Sequence, residues 1–291
     1  MNGTALVFVV VAAVLHALWN LAAKRVPGGG AALVFLYYSV SAVALVPVAT
    51  VLLVLDPQRP QWTWLPAVVG NAVLHIVYGI VLQRGYTVGD LSVVYPLARG
   101  TGPLLSVLAA VVLFGERPGV LGLAGAALVI AGVLVIGSAG GGGGSVADRR
   151  ARRAGVGYGL LTGATIAAYT LWDDHSVNAL AVPPVVYLCA GSVLQSALLA
   201  PYARRHGDTV ARLWREHWRE ALVIGLLSPV AYALVLFALQ RAPVSLVAPA
   251  RELSIVLGGL AAWLVLDEAH PVRRLTGSLI VLGGIAAIAA S

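Results

Sequence analysis

Long apolar runs, separated by short polar stretches, recur along the whole chain. A helix of about 18 to 20 apolar residues crosses the roughly 30 Å of bilayer hydrocarbon. By that measure the sequence predicts ten spans, at about 4–23, 32–55, 64–83, 90–114, 119–137, 155–174, 183–202, 220–240, 243–266 and 272–290. Trp62 and Trp64 stand where an interfacial aromatic belt is expected. The first run lacks the basic leader of a cleavable signal, because Lys24 and Arg25 follow it.

The polar residues inside these spans fall on defined faces. At about 100° per residue, His16, Trp19, Asn20 and Lys24 form one stripe on the first span, and Asn71, His75 and Tyr78 form another on the third. Such stripes either hydrogen-bond helix to helix or line a cavity. The fourth span carries Tyr95 and Arg99 among Pro96, Gly100, Gly102 and Pro103, a pattern that predicts a helix break. The ninth carries Pro249, Arg251 and Glu252. An arginine at the centre of a membrane helix costs roughly 2.5–3.5 kcal/mol on insertion scales. Two such residues therefore point to a function or to a partner. The structural alternatives are that they cap carbonyls freed by the breaks, or that Arg251 pairs with Glu252.

The chain repeats itself. Ser92 and Pro96 correspond to Ser245 and Pro249, and after one deletion Arg99, Glu116, Gly125 and Gly132 correspond to Arg251, Glu268, Gly277 and Gly284. His16, Trp19 and Asn20 map to Tyr169, Trp172 and Asp173, and His75 maps to Tyr232. Five spans per repeat is an odd number, so the second half must enter the membrane inverted. Inverted repeats place a substrate site near the midplane, where interrupted helices of the two halves meet. The halves are residues 1–137 and 154–291, joined by a Gly-rich basic linker over 138–153.

Composition narrows the class. A mean hydropathy of +0.90, with 59% hydrophobic and 11% charged residues, excludes a soluble globular domain. The net charge of +7 does not call for nucleic acid. Loops on one face hold 14 basic residues, from Lys24 and Arg25 through the 149–153 arginines to Arg273 and Arg274; the other face holds Arg59, Arg117 and Arg241. That asymmetry predicts both termini outside and the linker in the cytoplasm. A single lysine against 18 arginines points to a GC-rich bacterial genome, hence to a bacterial plasma membrane. The basic, aromatic stretch 204–219 reads as a helix lying on the inner leaflet. One cysteine, Cys189, excludes an internal disulfide and a cysteine metal cluster, and no cofactor motif is present.

The segment LFGERPGVLGLAGAALVIAG (113–132) and its echo VLDEAHPVRRLTGSLIVLGG (265–284) resemble the EamA type of the drug/metabolite transporter superfamily, and the resemblance spans both halves. It implies an all-α membrane protein of ten helices in two inverted five-helix repeats, working by alternating access around a central cavity. Family members export amino acids and other metabolites.

The function expected is therefore secondary transport, by export or exchange, of a small anionic or zwitterionic metabolite such as an amino acid or organic acid. Arg99 and Arg251 would take the acid group as planar forks. His16, Trp19, Asn20, Asn71, His75, Tyr78, Tyr95, Tyr169, Trp172 and Tyr232 would line the site. Glu252 is the acid placed well inside a span, whereas Asp173 and Asp174 fall at a span end. Glu252, with His75 and His16 in reserve, is the expected proton-coupling group. A second copy of the chain is a candidate partner. Two other readings remain: a carrier of neutral or cationic drugs with structural arginines, or an intramembrane enzyme acting on a lipid-linked substrate. Against the enzyme, Asp173-Asp174 has no second aspartate pair, and neither HExxH nor GxSxG occurs.

Overall fold

The computed structural model describes residues 1–26, 28–57, 59–88, 91–137, 146–257 and 271–291. Among these, ten helices follow one another: α1 (Gly3–Lys24), α2 (Gly30–Leu55), α3 (Trp64–Val88), α4 (Leu91–Leu113), α5 (Gly119–Gly137), α6 (Val146–Asn178), α7 (Pro184–Arg205), α8 (Gly207–Leu239), α9 (Val244–Ala250) and α10 (Pro271–Ala290). No strand occurs among the described residues. Five helices, α1, α2, α3, α7 and α8, contain segments long and apolar enough to cross a membrane. Shorter apolar segments lie in α4, α5 and α10.

The surface is apolar, and the interior holds charged and polar side chains. Val43, Leu55, Val112 and Val120 are each more than 70% exposed, whereas Asn71, Arg99, Asp173, Arg251 and Glu252 are buried. Water would reverse that arrangement; a hydrocarbon solvent favours it, because polar side chains find partners only inside the bundle.

The repeats pack reciprocally. α1 lies against α8 as α3 lies against α6, α2 meets α7, and α5 crosses α10. At that last crossing, a Cβ on Gly125 would stand 2.7 Å from the Gly284 carbonyl oxygen, and one on Gly284 would stand 2.6 Å from the Gly125 oxygen. Gly132 meets the Gly277 carbonyl in the same way, at 2.7 Å. Glycine permits this backbone approach, as expected for small residues between membrane helices.

Two features differ from those the sequence predicts, the continuity of α4 and the start of α6. The break expected around Arg99 is absent, and α4 is helical from Leu91 to Leu113. Its packing on α6 explains this: a Cβ on Gly163 would overlap the Thr101 hydroxyl, and Gly102 faces Ile166 at close range. The second half does break. Pro249 has no N–H, and beyond it the amides of Glu252, Ser254 and Ile255 turn to carbonyls three residues back, at 2.9, 3.2 and 2.9 Å. α9 thus ends at Ala250, helical backbone resumes at 253–257, and the rest of the expected 243–266 span lies outside the described residues. α6 begins at Val146, so residues 146–153 of the expected linker are helical, while 138–145 are not described. α8 starts at Gly207 and has non-helical backbone at His217, which separates the basic segment from the span that follows.

Candidate functional site

Arg99, on α4, and Arg251 with Glu252, at the α9 break, meet at the centre of the bundle. All three side chains are buried. Arg99 Nη2 lies 3.0 Å from His16 Nε2 on α1, and its Nη1 lies 3.6 Å from Glu252 Oε1. A guanidinium can only donate, so His16 accepts through Nε2 and carries its own proton on Nδ1. Protonating His16 would break this contact. Arg251 Nη2 donates to the Tyr169 hydroxyl at 3.4 Å, with its Cζ 5.9 Å from the centre of that ring.

The sequence left open whether Arg251 pairs with its neighbour Glu252. It does not: Glu252 turns to Arg99, so the ion pair crosses between the repeats. The adjacent residues point apart because the chain is still helical there, with Arg251 at φ −60° and ψ −24°. Arg251 Nε, both Glu252 carboxylate oxygens, and the Ser245 and Ser254 hydroxyls find no hydrogen-bond partner within the protein. A cluster of buried polar atoms on one broken helix is costly unless a polar group satisfies it.

α9 itself is held from the opposite repeat. Gly115 and Gly119, with φ of +67° and +72°, turn the chain between α4 and α5. The turn carries Glu116, whose Oε1 and Oε2 accept from the amides of Val244 and Ser245, each at 2.9 Å. Those amides are free donors at a helix start, and a carboxylate there suits the helix dipole.

A second cluster centres on Asp173. The sequence places this acid at a span end, but it lies within α6 and is fully buried. Its Oδ1 accepts from Asn71 Nδ2 at 2.9 Å and from the Tyr187 hydroxyl at 2.6 Å. Its Oδ2 accepts from the Tyr232 hydroxyl at 2.5 Å and pairs with His75 Nε2 at 2.9 Å. The rings of His75 and Tyr169 stand 4.3 Å apart, and Tyr78 and Tyr232 pack edge-on around them. Asp173 and Tyr187 are the members of this cluster that the sequence does not mark. The expected span closes at 174 whereas α6 runs to Asn178, which places Asp173 inside the helix, and an isolated tyrosine near the start of α7 carries no signal.

Six of the expected wall residues therefore gather: His16 at Arg99, and Asn71, His75, Tyr78, Tyr169 and Tyr232 around Asp173. Others serve elsewhere. Trp172 packs on Gly70 and donates Nε1 to the Ala67 carbonyl at 2.9 Å, at the contact of α3 with α6. The Asn20 amide donates to the His16 carbonyl of its own helix at 2.7 Å. Trp19 lies edge-on to His16, at 4.6 Å. The Tyr95 side chain lies outside the described residues.

The model of the EamA-like transporter family matches residues 3–138 and again 153–290, one match per repeat. The chain belongs to the EamA-like transporter family. The ten helices of this EamA-like protein also superpose on a solved structure titled "Crystal structure of protein", with a TM-score of 0.75 and 19% identity, covering 99% of this chain and 96% of that one. At that identity the likeness concerns the fold. No curated protein matches the chain in sequence. Membership in a transporter family agrees with the polar, buried centre of the EamA-like bundle and with its apolar exterior.

Proposed function

We propose that this EamA-like protein is a secondary transporter, an exporter or exchanger, of a small anionic or zwitterionic metabolite such as an amino acid or organic acid. It works by alternating access in a bacterial plasma membrane. The observation that carries this reading is the α9 break, where Arg251 Nε and both Glu252 oxygens lie buried without a hydrogen-bond partner in the protein. A solute bearing an acid group supplies acceptors to the guanidinium, and one that also bears an amine supplies donors to the carboxylate. Arg99 holds Glu252 from the other repeat, so a rearrangement between the repeats would remake this pair. Glu252 is the coupling group, because a proton there would release Arg99.

Counterflow in proteoliposomes tests the reading. Labelled amino acids and organic acids should exchange with unlabelled solute inside, and Arg251→Gln should abolish exchange while leaving a monodisperse protein. Exchange restricted to cationic or neutral amphiphiles, with the Arg251→Gln carrier fully active, would instead identify a drug carrier with structural arginines.

A further inference from the structure

We infer that Asp173 and His75 form a proton-binding pair separate from Glu252, linked through Tyr169 to the anion held at Arg251. This inference rests on the substrate reading above. The cluster first invites a simpler account, in which Asp173 is a knot tying α3, α6, α7 and α8 together. Three neutral donors, Asn71, Tyr187 and Tyr232, already satisfy that role. They bring no charge. His75 is the one donor on Asp173 able to gain or lose a charge in the physiological range. With a neutral imidazole the cluster carries one net negative charge, and with an imidazolium it carries none. Inside a low-dielectric bundle that difference matters, because an uncompensated buried charge is expensive.

Other charged and titratable groups face His75 from the helices packed against it. Tyr78 shares α3, Tyr169 comes from α6 and Tyr232 from α8. Tyr187 of α7 reaches it through Asp173. Tyr38 of α2 and Arg99 of α4 stand one layer out, within electrostatic reach of Tyr78. Arg251, which caps α9, is joined to His75 by Tyr169, and Glu252 beside it turns to Arg99. One side of this phenol meets the His75 ring at 4.3 Å, and its hydroxyl takes the Arg251 Nη2 hydrogen bond at 3.4 Å.

An imidazolium and a guanidinium would therefore share one tyrosine, two like charges inside the bundle. An anion on Arg251 cancels one of these charges and favours the proton on His75. By thermodynamic reciprocity, a proton on His75 favours the anion on Arg251 to the same degree. Proton and anion are loaded together and cross in the same direction, so outward movement would follow the solute's own gradient.

The test is 15N-histidine NMR of the purified full-length carrier at fixed neutral pH, with the His75 signal assigned from the His75→Gln variant. Acetate is the anion probe. In the wild type, saturating acetate should raise the ratio of imidazolium to neutral His75 by about threefold to tenfold, the range for one nearby like charge being neutralised. Arg251→Gln should raise the ratio similarly without acetate, and acetate should then add nothing. Glu252→Gln should keep the acetate response, which separates the two proton sites. Asp173→Asn should lower the ratio; should that variant not fold, the acetate arm on the wild type still decides. A His75 ratio indifferent to both acetate and Arg251→Gln overturns the linkage. A ratio raised by Arg251→Gln but not by acetate supports the linkage and counts against the anion reading of Arg251.

Discussion

Arg99 and Arg251 make the same contact in the two repeats. Each guanidinium reaches the equivalent position on the first helix of its own repeat, His16 Nε2 at 3.0 Å for Arg99 and the Tyr169 hydroxyl at 3.4 Å for Arg251. The equivalence stops at the next residue. Glu252 follows Arg251, whereas Gly100 follows Arg99, so a single carboxylate serves the two arginines and it turns to the one across the repeat boundary. A symmetric scaffold thus holds an asymmetric set of charges.

That asymmetry predicts a stability cycle. Arg99→Gln leaves Glu252 buried without its ion-pair partner and should destabilise the carrier by about 3–5 kcal/mol, the usual result of removing one member of a buried pair. Arg99→Gln combined with Glu252→Gln should recover most of the loss. Thermal unfolding of the purified variants checks this, and equal melting temperatures for the single and double variants would exclude an energetic pairing.

Arg251 should behave differently. Its Nε has no hydrogen-bond partner in the protein, so Arg251→Gln should fold and yet lose substrate affinity on the order of 30-fold or more, equivalent to about 2 kcal/mol for a truncated charge pair. Arg251→Lys should recover only part of it, because an ammonium lacks the planar two-donor fork. Binding measurements and counterflow on the three proteins decide the matter.

Glu252→Gln removes the exchangeable proton while leaving Arg99 on His16. The expected outcome is a carrier that still performs counterflow but whose response to an imposed pH gradient falls to the part carried by the Asp173–His75 pair. An undiminished pH-driven uptake in Glu252→Gln vesicles would shift the coupling role to the Asp173–His75 pair alone.

The glycine contacts between α5 and α10 predict a purely structural effect. Gly125→Ala and Gly284→Ala each put a methyl within 2.7 Å of the opposing backbone, which cannot move aside as a side chain can. Each should cost about 1–3 kcal/mol, as overpacking of a close contact does. The two should not add, since the first separates the helices for both. Melting temperatures of the two single variants and of the double variant test this.

Membrane orientation gives a fifth prediction. The 14-to-3 distribution of basic residues predicts both termini outside and the 138–153 linker in the cytoplasm. A reporter active only in the cytoplasm should be silent when fused after Ser291 and active when inserted in the linker. The opposite pattern would invert the assignment.

The sequence by itself determined the solvent, the ten-helix pattern and the inverted repeat. Each depends on composition or periodicity, which a chain displays before it folds: apolar runs set the spans, and the matched positions of Arg99 and Arg251 set the two halves. It also marked Arg99, Arg251 and Glu252, since a buried charge is conspicuous in an apolar run. Tertiary structure decided which groups meet. A proline precedes both arginines, and only Arg99 is followed by glycines and a second proline, yet α4 stays helical against the glycine face of α6 while α9 breaks past Pro249; the outcome depends on what each helix packs against. Glu252 turned to Arg99 rather than to Arg251, because residues adjacent on a helix diverge while helices distant in sequence converge. Asp173 became the centre of a buried cluster only when α3, α7 and α8 brought Asn71, His75, Tyr187 and Tyr232 to it, and no local pattern encodes a meeting of four helices.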